Sequence, residues 1–176
     1  MIQERKDAAA FQGSPLTLIG PELKTGDKAP EFTVVDNALK PVTLASSRGK
    51  TRLVSVVPSI DTPVCELQTK RFNQEAAKLP ASVAVLTVSM DLPFAQGRWC
   101  GTAGIDKVQM LSDHQQASFG AAYGVLIREL RLLARAIFVI GPDDRIKYVE
   151  YVKEITTHPD YDRALAAVKA VCYCCG

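Results

Sequence analysis

The stretch RLVSVVPSIDTPVCELQ, residues 52–68, decides how this chain is read. It begins with a β-branched run, residues 52–57, bounded by Pro58, which reads as a buried strand. A loop containing Pro58 and Pro63 follows. Residues 66–79 (ELQTKRFNQEAAKL) are then helix formers throughout, with Phe72, Ala76 and Leu79 on one face, until Pro80 closes the helix. Cys65 therefore falls at the first turn of a helix that starts just beyond a strand end. Such a position carries partial positive charge and unpaired N–H donors. Both favour a thiolate over a thiol, and the thiolate is the nucleophile. Thr62 has a hydroxyl able to donate to the sulfur or to a bound substrate oxygen. Pro58 and Pro63 fix φ and stiffen the loop between them. A lone cysteine is most often a small core residue. The spacing Pro58-x3-Thr62-x2-Cys65 at a strand-to-helix junction argues for a reactive one.

Upstream, residues 1–8 read as a mobile arm. Phe11 and then Leu16, Leu18 and Ile19 flank Gly13-Ser14-Pro15 as a small hairpin. Residues 21–30 are loop, and Phe32, Val34 and Val35 suggest a short strand. Downstream, residues 83–90 (VAVLTVSM) form a second buried strand. Residues 93–100 predict a short helix stopped by Gly101. Residues 108–111 are a further strand, and 118–123 a short helix ended by Gly124. Residues 134–140 (ARAIFVI) are another buried strand, and a turn at 141–144 leads into 146–152. Residues 161–171 are a final helix, with Thr157 and Asp160 placed as a capping box. This order predicts an α/β sandwich with a mixed central sheet. The expectation is one domain over residues 1–176, with no internal repeat.

The chain has 176 residues, 47% of them hydrophobic and 23% charged, with net charge +2, which excludes a disordered chain. Acidic and basic residues are interspersed, leaving no electrostatic footprint for nucleic acid or an anionic membrane. No stretch approaches the run of about 20 apolar residues that a membrane helix needs. The start, MIQERKDAAAFQGS, lacks the apolar region of a signal peptide. The expected compartment is the cytoplasm. The five cysteines, Cys65, Cys100, Cys172, Cys174 and Cys175, are too unevenly spaced for a secreted disulfide scaffold.

The segment VVPSIDTPVCELQ resembles the active-site loop of peroxiredoxins, whose core is P-x-x-x-[TS]-x-x-C. The form DTPVC with Gln68 is similar to the thiol peroxidase subfamily, the atypical 2-Cys kind. Further similarity lies in FQGSPLTL near the start, GDKAPEFT at 26–33, DLPFAQGRWCG at 91–101, AYGV at 122–125, ARAIFVI at 134–140 and HPDYDRAL at 158–165. The resemblance implies a thioredoxin-like fold with an N-terminal β-hairpin addition. It implies reduction of hydrogen peroxide and of organic, including lipid-derived, hydroperoxides, without metal, haem or flavin. It also implies recycling by thioredoxin, a role in antioxidant defence and a homodimer. Carried over to this chain, Cys65 is the attacking thiol, Thr62 orients thiolate and peroxide, and Pro58 shields the sulfur. Arg135, in LARAIFV, supplies fixed positive charge from a distant strand. The residues alone do not select Arg135 from its neighbours Arg128 and Arg131.

The same resemblance makes Cys100, in FAQGRWCG, the resolving thiol, joined to Cys65 in an intrachain disulfide. Should the two begin far apart, both segments must partly unwind to reach disulfide geometry. Gly97, Gly101 and Gly104 make that cheaper around Cys100. The other reading of Cys100, beside Trp99, is a packed core cysteine. His114 and His158 receive no role. Asp61 is expected to order the loop rather than act as a base, because an anion beside Cys65 opposes the thiolate. The tail VCYCCG, residues 171–176, departs from the family pattern. Cys172 is expected on the core face of the last helix, and Cys174 and Cys175 at an exposed, frayed end. C-x-C-C lacks the fourth ligand of a structural zinc site. Two other functions are weighed: a thiol–disulfide oxidoreductase on the same fold, which usually wants C-x-x-C and here meets Gln68, and a redox-sensing module built on the tail.

Overall fold

Every residue of the strand Thr51–Val56 is buried. In the computed structural model, which describes residues 3–173, this strand lies inside a mixed sheet. The elements in order are β1 (Glu4–Phe11), β2 (Ser14–Ile19), β3 (Thr33–Val35), β4 (Pro41–Thr43), β5 (Thr51–Val56), α1 (Pro63–Ala76), β6 (Val83–Ser89), α2 (Pro93–Ala103), β7 (Gln109–Ser112), α3 (Ser118–Ala122), β8 (Leu126–Ile127), β9 (Ala136–Ile140), β10 (Ile146–Tyr151) and α4 (Tyr161–Tyr173). The seven-stranded sheet has the order β10-β9-β5-β6-β7-β3-β4. Its centre, β5-β6-β7, is parallel. The flanking pairs are antiparallel. The hairpin β1-β2 and the short β8 form a separate three-stranded sheet.

Successive strand residues point to opposite faces, so a strand buried on both sides feeds two cores. In β9, Ala136, Phe138 and Ile140 enter one core, and Ile137 and Val139 enter the other. The first core joins the sheet to the hairpin and α3, where Phe119 and Tyr123 stack at 4.2 Å between ring centroids. The second joins it to α1 and α4 through Phe72, Ala164, Leu165 and Val168, with Cys65 among them. The expected mixed α/β architecture with an N-terminal hairpin is present.

Four expectations need correction. Residues 4–8 are not an arm. They form the first part of β1, where Glu4 pairs with Ile19 and Arg5 with Leu18, and the Arg5 side chain donates to the carbonyls of Gly20 and Gly124. The helix at 93 does not stop at Gly101. It ends at Gly104, whose φ of 68° is the left-handed geometry a helix C-terminus favours and whose N–H donates to Cys100 O. Asp160 caps α4 by accepting the Arg163 N–H at 3.0 Å, without Thr157, whose hydroxyl donates to Glu154 O. Strands β4 and β8 were not anticipated. Cys172 is half-buried at the edge of the second core; Cys174 and Cys175 lie outside the described residues. Among the described residues, no helix is long and apolar enough to cross a membrane.

Candidate active site

Strand β5 ends at Val56, and the chain turns through residues 57–62 into α1. Thr62 takes extended backbone geometry as the residue before the helix, with Pro63 in the first helical turn. Its hydroxyl makes no capping bond. Among the described residues, the donors of the first turn are thus left without a side-chain cap beside Cys65. Cys65 is fully buried.

Among the described residues, the sulfur has one close polar partner. Arg135 Nη2 donates to Cys65 Sγ at 3.3 Å. Arg135 is itself only 2% exposed, so its guanidinium is held on every side. Nη1 donates to Gln68 Oε1 at 2.7 Å, and Nε and Nη2 donate to Ile155 O at 3.0 and 2.8 Å. Gln68 Nε2 in turn donates to Ser55 Oγ on β5 at 2.7 Å. The strand that precedes the loop and the helix that follows it both orient the cation. The buried guanidinium therefore presents a charge-assisted N–H to that sulfur from a fixed position.

Pro58, Thr62 and Arg135 line one apolar hollow together with Phe11, Pro63, Val64, Ile155 and Thr156. The structure thus brings Pro58, Thr62, Cys65 and Arg135 together. The Thr62 hydroxyl, however, donates to Ser59 O at 3.2 Å rather than to the sulfur. Its proton is committed there, and its lone pairs remain for a ligand. Cys100 sits on α2, half-buried against the core that holds Cys65, and both cysteines are free thiols. Burial pushes the Cys100 thiol up from its ordinary range. Arg128 lies on the surface beside Glu4, and Arg131 is exposed. His114 contacts Ser112 Oγ, and His158 contacts the Tyr161 hydroxyl.

Residue reading missed three supports of this site. Gln68 stood out as part of the family resemblance and as a residue that is not a cysteine, without a role of its own; its place one helical turn after Cys65, on the same face, was the available signal. Ser55 carried no signal beyond being polar in a buried strand. Glu154 carried none. Its carboxylate accepts the N–H groups of Gln12 and Gly13 at 3.1 and 3.0 Å, in the positive-φ turn of the hairpin. The adjoining backbone is paired too, Ala10 N to Lys153 O and Ile155 N to Ala10 O. Phe11, one wall of the hollow, is therefore tied to the segment that fixes Arg135.

The Thr156 hydroxyl also donates to the Glu154 carboxylate, at 2.8 Å, and these contacts, led by the Gly13 N–H and then the Thr156 hydroxyl, hold the Glu154 carboxyl down to about 2. A lowered carboxyl contributes its full share above the ordinary glutamate range and loses it as pH falls through about 2. Glu154→Gln is expected to loosen the hairpin turn at neutral pH. Faster amide exchange at Gln12 and Gly13, with unchanged exchange in β5 and β9, is the result to look for.

A family model described as Redoxin matches residues 24–165. A thiol peroxidase of Halalkalibacterium halodurans is 64% identical over 160 residues, covering 91% of this chain and 96% of its own length. A thiol peroxidase of Bacillus subtilis is 56% identical over 161 residues, covering 92% and 96%. Among solved structures, a peroxiredoxin-like protein from Aquifex aeolicus is 41% identical and superposes with a TM-score of 0.88, covering 97% of this chain and 98% of that one. A thiol peroxidase from Chromobacterium violaceum, at 20% identity and a TM-score of 0.81 over 92% of this chain and 95% of its own, shares the fold.

Proposed function

The chain belongs to the redoxin family and is a thiol-dependent peroxidase of the peroxiredoxin kind, and on that premise we propose that Cys65 attacks the peroxide and Cys100 resolves the product. The observation that carries this reading is the donation from buried Arg135 to the sulfur of Cys65 at the start of α1. The Cys65 thiolate attacks the hydroxyl oxygen of ROOH. An S–O bond forms, the O–O bond breaks, and RO⁻ leaves to take a proton from solvent. Sulfur is oxidised to a sulfenic acid, which keeps the peroxide's own proton, and the peroxide is reduced to an alcohol or water. The free lone pairs of Thr62 accept a hydrogen bond from that proton during attack. Arg135 stabilises the charge moving onto the leaving oxygen. Pro58 closes one side of the hollow.

Cys100 then attacks the sulfenic sulfur. The S–S bond forms, the S–O bond breaks, and the hydroxyl leaves as water with the Cys100 proton. Thioredoxin, the proposed reductant, returns both thiols by dithiol–disulfide exchange. This cycle uses thiols and peroxide only. The apolar hollow suits organic as well as hydrogen peroxide, and a cytoplasmic homodimer is the proposed setting.

The test is turnover with thioredoxin and its reductase, paired with non-reducing peptide mapping after one equivalent of peroxide. Cys100→Ser is expected to complete the first peroxide equivalent and then stall, with the Cys65–Cys100 peptide missing from the map. Undiminished multiple turnover in Cys100→Ser would assign resolution to another thiol.

A further inference from the structure

The loop that presents Thr62 and Cys65 is fastened from a residue outside the reaction. Asp91 lies between the end of β6 and the start of α2. Its Oδ1 accepts the Ser59 hydroxyl at 2.8 Å, and its Oδ2 accepts the Ile60 N–H at 2.9 Å and the Ser89 hydroxyl at 2.6 Å. Its carbonyl accepts the Ser112 hydroxyl at 2.5 Å, which pins it to the end of β7. Within the loop, Asp61 N donates to Ser59 Oγ and Thr62 Oγ1 donates to Ser59 O. Among the described residues, every hydrogen bond from residues 59–61 to a group outside the loop ends on the Asp91 carboxylate. Ile60 adds packing in the second core. The expected loop-ordering role of Asp61 therefore belongs to Asp91, and Asp61 is exposed.

Asp91 also stands two residues before Pro93, where the helix bearing Cys100 begins. One carboxylate thus joins the loop of the attacking thiol to the segment of the proposed resolving thiol. An ionised acceptor that takes several donors holds them more strongly than neutral partners do. We infer that Asp91 is a positioning residue that holds the Cys65 loop in the form that receives peroxide, and that its hydrogen bonds to Ser59 and Ile60 must part before Cys65 reaches Cys100. The inference rests on the Cys65–Cys100 reading above.

The consequence is a split that general loss of structure does not produce. Loosening Asp91 misplaces Thr62 and slows peroxide attack, yet removes a restraint on disulfide formation. The experiment is stopped-flow fluorescence of Trp99, the chain's single tryptophan, with mass-resolved quenching to assign each phase. Asp91→Ala is expected to slow Cys65 oxidation about tenfold or more, the scale of one lost charge-assisted hydrogen bond. The second, disulfide-forming phase should run at least as fast as in the native chain, and excess peroxide should leave less sulfinic acid. Asp91→Asn keeps the shape and one acceptor oxygen, and should recover most of the first phase. Asp61→Asn, an exposed carboxylate of the same loop, should leave both phases close to native.

Equal slowing of both phases in Asp91→Asn, or an unchanged first phase in Asp91→Ala, overturns the inference. The Cys65–Cys100 reading is checked separately in the chain that retains Asp91. A second phase that persists in Cys100→Ser there refutes that reading, while the first-phase rates still decide for or against Asp91.

Discussion

Cys65→Ser is expected to lower hydroperoxide turnover by a factor on the order of 10⁵–10⁶, the scale of removing a nucleophile from an otherwise intact site. A serine hydroxyl is un-ionised near neutral pH, and its oxygen is a poor attacking group for peroxide oxygen. The exchange is nearly isosteric, and the hydroxyl can still accept from Arg135. The fold is therefore expected to hold, with a thermal midpoint close to that of the native chain. Thioredoxin-coupled turnover of hydrogen peroxide and of an aryl hydroperoxide, alongside the melting curve, measures both. Turnover that persists in a folded Cys65→Ser protein would move the attack to one of the other four cysteines, Cys100, Cys172, Cys174 or Cys175, and would dismantle the proposed site. Mapping of residual oxidation by peptide mass distinguishes Cys100 from the three thiols of the tail.

The position of Cys65 was legible because it depends on local order. A β-branched run, a proline-bounded loop and a helix pattern are successive in the chain, and their junction defines a helix start. The same holds for β6, β9 and the hairpin turn at Gly13. Arg135 was not legible from the residues, because its value depends on register. The pairing of Val56 with Ala136 places residue 135 one step past the end of β5, beside the loop that leads to Cys65. No local pattern distinguishes it from Arg128 or Arg131. Asp91 and Glu154 failed for the same reason: each is a polar residue in a turn until tertiary contact gives it donors. Strand β8 is two residues long, too short for alternation to register. Gly101 misled because glycine marks a helix end only where the backbone turns left-handed, and here that residue is Gly104.

Arg135→Lys is expected to lower kcat/KM for peroxide by about 10²–10³, the loss typical of one preorganised charge-stabilising donor. The reason is geometric. The guanidinium meets Cys65 Sγ, Gln68 Oε1 and Ile155 O at once, in its own plane. An ammonium is a compact charge on a flexible stem and cannot span these three acceptors from one position. It keeps the charge, so the comparison with Arg135→Met separates charge from orientation. Methionine leaves Gln68 Oε1 and Ile155 O buried without the donor they now share, at a cost of about 1–3 kcal/mol for each unsatisfied group. Arg135→Met should therefore melt several degrees lower and show the larger loss of activity. Lysine should sit between it and the native chain on both measures. Alkylation of Cys65 by iodoacetamide at neutral pH gives a reading independent of peroxide. Slower alkylation in both variants places the effect on the thiolate. Native alkylation combined with lost turnover places it on the leaving oxygen instead. Full peroxidase activity in Arg135→Met would show that the start of α1 activates Cys65 unaided, and that the 3.3 Å contact serves only to pack the loop.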